Sequence, residues 1–201
     1  MRLVLVVVML LYAALLPVAA DEVTDQLDLG RKHYVEGDLS GAINELQFAI
    51  QDIRSQLAVR YRAGFPDAPS GWVATDSTED NSAAMAMFGG GTSVSRSYAQ
   101  EGGEGVIDAT ISVDNPMIQG LAAMLSNPAI MSANPAAKRV AIGQENAIVQ
   151  FEEGGDSGDA TIVLGGRMLL QLQGHGLESS AMLEELAAGW KLDELKQIAG
   201  M

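Results

Sequence analysis

The apolar residues of this chain recur with different periods in different segments. From Val23, the positions Val23, Leu27, Gly30 and Tyr34 repeat at steps of three and four, which predicts a helix closed by the Gly37-Asp38 turn. A second, longer helix follows. Leu39, Ala42, Ile43, Leu46, Ala49, Ile50, Ile53 and Leu57 form one stripe, and Arg54, Arg60 and Arg62 load its C-terminal part with charge that suits the helix dipole. Gly64 and Pro66 end it near position 65. This stripe holds more apolar surface than Val23, Leu27 and Tyr34 can cover, so part of it is expected to pack against the sheet domain or a partner. Leu46, Ile50 and Ile53 are the candidate contact residues.

Beyond Gly91 the period drops to two. Val94 to Tyr98 and Ile107 to Val113 alternate with polar residues around Gly102-Gly103, which predicts a hairpin with one buried face. Asn115-Pro116 opens a helix with Ile118, Leu121, Ala122 and Leu125 inward, ending before Asn127-Pro128. Four more strands are expected: Lys138 to Ile142, Glu145 to Phe151, Asp159 to Leu164 and Arg167 to Gln173. Short Gly-rich separators make them antiparallel neighbours. A last helix starts near Ser179 or Ser180, breaks at Gly189 and resumes from Leu192 to Ile198. The fold class is therefore α+β: a helical hairpin at residues 21–65, then an antiparallel sheet of about six strands at residues 93–201, in the order β-β-α-β-β-β-β-α with packed helices. Residues 66–92, rich in Pro, Ala, Ser, Thr, Asp and Gly, read as a linker or surface excursion that retains Trp72 and the Met85 to Phe88 cluster.

The start of the chain adds an address. Arg2, the apolar run Leu3 to Leu16, Pro17 and the small residues Val18-Ala19-Ala20 read as a bacterial-type secretory signal over residues 1–20, with the mature chain beginning at Asp21. The run is shorter than the roughly 20 residues a spanning helix needs, so no stable membrane insertion is expected after cleavage. The expected location is exported, in the periplasm or secreted. With no Cys, the exported chain rests on its apolar core, for which 48% apolar residues suffice. A net charge of −14 and a lack of aromatics interleaved with basic residues exclude nucleic acid as an expected partner.

Leu29-Gly30, Tyr34, Gly37-Asp38, Ala42, Leu46 and Ala49 resemble one tetratricopeptide repeat over residues 23–57, with small residues where two helices touch and a Gly-Asp turn between them. The resemblance implies a protein-binding surface. A single repeat cannot form a solenoid, because each unit needs a neighbour to bury its apolar face. The mature chain as a whole is similar to an uncharacterised group of exported bacterial proteins with a repeat-like beginning and a small α+β domain, on the strength of Gly71-Trp72 and the Met87-Phe88-Gly89-Gly90-Gly91 run. That likeness implies no activity.

Candidate chemistry is sparse. Gly155-Asp156-Ser157-Gly158-Asp159 resembles the nucleophile loop of trypsin-like serine proteases, but a nucleophilic Ser needs a base, and His33 and His175 are the two His of the chain. In strand context the same string is a polar turn. Glu152, Glu153, Asp156 and Asp159 suggest calcium, yet lack the spacing of an EF-hand loop. Among ten Met, Met85 and Met87 form a Met-x-Met pair suited to Cu(I), with Met131 a distant third, while Met117, Met124, Met168 and Met182 fall at or near core-facing positions. No phosphate loop or dinucleotide fingerprint is present, and no cofactor is expected. The function expected from these residues is a non-enzymatic protein-binding or self-associating module, its partner a protein, a second copy included. A small-ligand or Cu(I) binder using the Met85 to Gly91 loop is the alternative, and a hydrolase the third reading. The hydrolase reading requires His175 or His33 beside Ser157.

Overall fold

A computed structural model describes residues 22–77, 90–125, 136–152 and 154–201. Helices α1 (Glu22–Glu36) and α2 (Leu39–Arg62) come first, followed by β1 (Trp72–Asp76), β2 (Thr92–Gln100), β3 (Val106–Val113), α3 (Pro116–Leu125), β4 (Ala137–Ile142), β5 (Glu145–Phe151), β6 (Gly158–Leu164), β7 (Met168–His175), α4 (Ala181–Ala188) and α5 (Leu192–Ile198). The fold is α+β, with two N-terminal helices ahead of a seven-stranded antiparallel sheet in the order β1-β2-β3-β7-β6-β5-β4. β1 adds a strand inside the segment read as a linker. Among the described residues it pairs with β2 alone, Trp72 opposite Gln100 and Asp76 opposite Arg96, and a five-residue edge strand leaves too short an alternation to stand out beside Pro69 and Ser70. The secretory-signal residues 1–20 and the Met85–Met87 pair lie outside the described residues.

The chain divides into two compact units, Met1–Ile53, described from residue 22, and Arg54–Met201. The division falls within α2 because Leu57, Ala58 and Tyr61 pack into the core of the second unit. In the first unit, Gly37 adopts φ 84°, a left-handed conformation that glycine takes without a Cβ clash, and it closes the tight turn between the helices. Val23, Gly30, Ala42 and Ala49 are the buried residues of this unit, and Gln26 Nε2 donates to Asp52 Oδ2 across it at 2.9 Å.

In the second unit, alternation sends Ile107, Ala109, Ile111 and Val113 of β3, Met168, Leu170 and Leu172 of β7, and Ala160, Ile162 and Leu164 of β6 to one face. That face is covered by Phe65 and by Leu183, Leu186, Trp190 and Leu195 from α4, α5 and the link between them. Phe65 and Trp190 rings lie 5.3 Å apart, and ion pairs Lys138–Glu184 at 2.7 Å and Lys196–Glu145 at 2.6 Å join the helices to the β4–β5 edge. The other face is mostly polar. Its rows run straight through the register, as in Ser97, Asp108, Gln173, Asp159 and Gln150 on successive strands. Helix α3 lies on the connection from β3 to β4 and buries Ile118. Met117 and Met124 are exposed on it, against the core-facing placement expected of them, because the inward set at Ile118, Leu121 and Ala122 turns both outward. Met168 is fully buried and Met182 packs against the core. No helix among the described residues is long and apolar enough to cross a membrane.

Candidate functional site

Two features of the described residues stand out, one in each unit. In the sheet unit the β5–β6 turn and the end of β7 bring Ser157 and His175 together. The turn is held by Glu152 and Ser157, whose backbone groups bond at 3.0 Å, and by Leu177 N–H donating to the Asp156 carbonyl at 2.8 Å. Ser157 Oγ lies 3.3 Å from His175 Nδ1 and 2.9 Å from Asp156 Oδ1. The proximity demanded by the hydrolase reading is thus met for His175. The sequence reading missed it: strands ending at Leu164 and starting at Arg167 around a two-residue turn put Ser157 opposite Gly174, whereas the turn takes in Arg167 as well, pairs Leu164 with Met168 and so puts Ser157 opposite His175. His33, the other candidate base, is occupied within its own unit by Asp38 Oδ2 at 3.0 Å.

The chemistry available to the Ser157–His175 pair is limited by where the hydroxyl proton goes. A carboxylate only accepts, so Ser157 donates its proton to Asp156 and its oxygen is left to accept from His175 Nδ1. A general base would take the proton from that oxygen instead. No acidic side chain among the described residues bonds to His175 in the orienting role of a triad. The pair opens into a cleft of about 480 Å³ that Gln150, Glu152, Asp159 and Gln173 also line. Burial raises the Asp159 carboxyl above its ordinary pKa. Of the suggested calcium ligands, Glu153 lies outside the described residues, and among those described no group of three or more His, Asp or Glu side chains is placed to hold a metal.

In the hairpin unit the distribution of apolar residues is inverted. Small side chains lie between the helices: Ala49 is 0% and Ala42 4% exposed. The large ones lie outside, with Leu39, Ile43, Leu46, Ile50 and Ile53 between 40% and 59% exposed. Leu27 and Tyr34 of α1 are exposed as well, which departs from the inward face expected of them; the inward positions of that helix are Val23, Gln26, Gly30 and His33. At Gly30 a Cβ would stand 3.0 Å from Leu46 Cγ, so Leu46 leans on α1 at the edge of the contact while Ala42 and Ala49 fill its centre. Leu46, Ile50 and Ile53 are 40% to 48% exposed.

No protein-family model matches the chain, and no curated protein matches it. Among solved structures, the crystal structure of protein CV1439 from Chromobacterium violaceum aligns with 72% of this chain and 87% of its own length, at 15% identity and a TM-score of 0.19. At that TM-score the likeness carries no argument about fold or function.

Proposed function

We propose that this chain is an exported, non-enzymatic protein-binding module that works through the outer face of its helical hairpin. The observation that supports the reading is the exposed stripe of α2, Leu39, Ile43, Leu46, Ile50 and Ile53, beside an interior filled by Ala42, Ala49 and Gly30. Large apolar side chains on one continuous face, with small ones inside, have the composition of an interface. Export follows from the signal-like residues 1–20, and the mass of the protein recovered from the cell envelope should correspond to a chain starting at Asp21. The binding reading is tested by Leu46→Asp and Ile50→Asp in the full-length gene. Each should leave the melting temperature of the sheet unit within about 2 °C of wild type, because both sites lie in the hairpin unit, and each should abolish association in crosslinking and size-exclusion experiments. Both variants associating like the wild type would remove the support for this reading.

The Ser157–His175 contact favours a second reading, a hydrolase of small substrates, with Ser157 as nucleophile once its hydroxyl leaves Asp156. A serine-directed phosphonate probe separates the two readings. Labelling that disappears in both Ser157→Ala and His175→Ala would establish the hydrolase, and an unlabelled wild-type protein would retire it.

A further inference from the structure

The outer stripe of α2 has a finer pattern than exposure alone. Leu39, Ile43, Leu46, Ile50 and Ile53 follow one another at steps of four, three, four and three, which is the a and d spacing of a heptad. In that phase Ile43 and Ile50 occupy a, and Leu39, Leu46 and Ile53 occupy d. Branched Ile at a with Leu at d is the pairing that favours two facing helices. Within the hairpin unit the seam residues are 40% to 59% exposed, with Leu46 also leaning on Gly30 of α1.

Charge points the same way. The chain carries 26 acidic residues against 12 basic ones, so a second copy would be repelled by most of its surface. The open flank of the seam, Ser40, Asn44, Gln47, Gln51 and Arg54, contains no acid. The area is also adequate. Leu27 and Tyr34 extend the patch on α1, because they lie three residues before and four after Gly30, against which Leu46 leans. Together the seven partly exposed side chains offer on the order of 600 Å² per copy, so two facing copies would bury about 1,200 Å², the lower limit for a specific interface.

We infer that the occupant of this face is a second copy of the chain, with α2 packed against α2 along the Leu39–Ile53 seam in a symmetric dimer. The inference rests on the binding-module reading and names its partner. The two hairpins would then place Ile43, Leu46 and Ile50 in one shared core, with Arg54 and Gln47 at its rim. The absence of Cys makes the arrangement directly testable, since any introduced thiol is the single thiol of the chain.

The experiment uses the full-length gene and the protein recovered from the envelope, by sedimentation equilibrium from about 1 to 100 µM, with far-UV circular dichroism on each variant. The wild type should dimerise, Ile50→Asp should weaken dimerisation at least about 100-fold with an unchanged spectrum, and Ile43→Asp should repeat the effect. Under mild oxidation parallel helices should give a disulfide-linked dimer of Ile50→Cys or of Leu46→Cys alone, because each position faces its own copy, whereas antiparallel helices should link an equimolar mixture of the two variants, because a faces d, and Ser55→Cys should give neither. A wild type that stays monomeric to 100 µM, or a dimer insensitive to both Asp variants, overturns the inference. If that monomer crosslinks to a different envelope protein and loses the crosslink in Ile50→Asp, the second copy is refuted while the binding-module reading stands. If it makes no such crosslink, both fall.

Discussion

Tyr98 shows how much a single side chain on β2 must reconcile. Its ring is fully buried, and its hydroxyl donates to the Pro66 carbonyl at 2.7 Å, the same oxygen that Arg96 Nη1 reaches at 3.3 Å. Arg96 lies over the Phe65 ring, 5.0 Å from its centre, and pairs with Asp76 at 2.5 Å, so the β1–β2 edge is tied to the segment leaving α2. Removing the hydroxyl in Tyr98→Phe forfeits one buried hydrogen bond but does not orphan its acceptor. The expected cost is therefore modest, about 1 kcal/mol, seen as a melting point lower by roughly 2–4 °C. Burial pushes the Tyr98 phenol up from 10 to about 12. The unfolded chain releases this proton first, so the stability that Tyr98 contributes is complete below pH 10 and is lost as pH rises toward 12. Tyr98→Phe should flatten the fall in stability across that window, and denaturation curves at pH 9, 10.5 and 11.5 check it. An alkaline fall as steep in the variant as in the wild type would mean that another group dominates.

At the level of elements, the glycines separate sites of contact from sites of open space. On β6, Gly158 pairs with Gly174 of β7, and a Cβ at Gly158 would stand 2.6 Å from the Gln150 carbonyl oxygen and 3.0 Å from Leu183 Cδ1. A backbone oxygen cannot swing aside, so Gly158→Ala should cost about 2 kcal/mol or more. Gly120 on α3 meets nothing within 4 Å, and there the same substitution should gain up to about 1 kcal/mol from helix propensity. Chemical denaturation of the two variants should move the midpoint in opposite directions. Periodicity carried most of the fold because β3, β6 and β7 each bury a continuous face, and because α2 has a long stripe; all four were readable from spacing. β1 was not, since an edge strand of five residues with Trp72 and Ala74 as its inward pair writes no pattern. In the hairpin the stripe was readable but its direction was not. Helices normally turn their large residues inward, and only the burial of Gly30, Ala42 and Ala49 beside exposed Leu39, Ile43 and Ile50 shows that here the small ones took that place. The Ser157–His175 contact was missed by one residue of register, because the β6–β7 turn takes in Arg167 as well as Gly165 and Gly166, and the direction of the Ser157 proton depended on Asp156 folding back over the β5–β6 turn.

At the scale of the whole molecule, the two units differ in what holds them. The unit beginning at Arg54 has a layered core in which Tyr98, Ile107, Leu172, Leu183 and Leu195 are all but inaccessible, and its strands form an unbroken ladder from β1 to β4. The hairpin, residues 22–53, buries Val23, Ala42 and Ala49 as its apolar side chains. Three small or medium side chains supply only modest burial against the entropy of ordering two helices, so the hairpin, though folded, should open by local unfolding more often than the sheet. Hydrogen exchange reads this residue by residue. In dilute solution, amides of residues 25–50 should exchange at least about 100-fold faster than those of Ile107 to Ile111 and Leu169 to Leu172, whose central strands open only with the whole unit. Raising the protein concentration through the range where copies associate should slow exchange in the hairpin and leave β3 and β7 unchanged, because a partner that binds only the folded hairpin stabilises it by mass action. Equal protection of both units in dilute solution would contradict the weak hairpin. A hairpin that is weakly protected at every concentration would show that a second copy does not cover its apolar face.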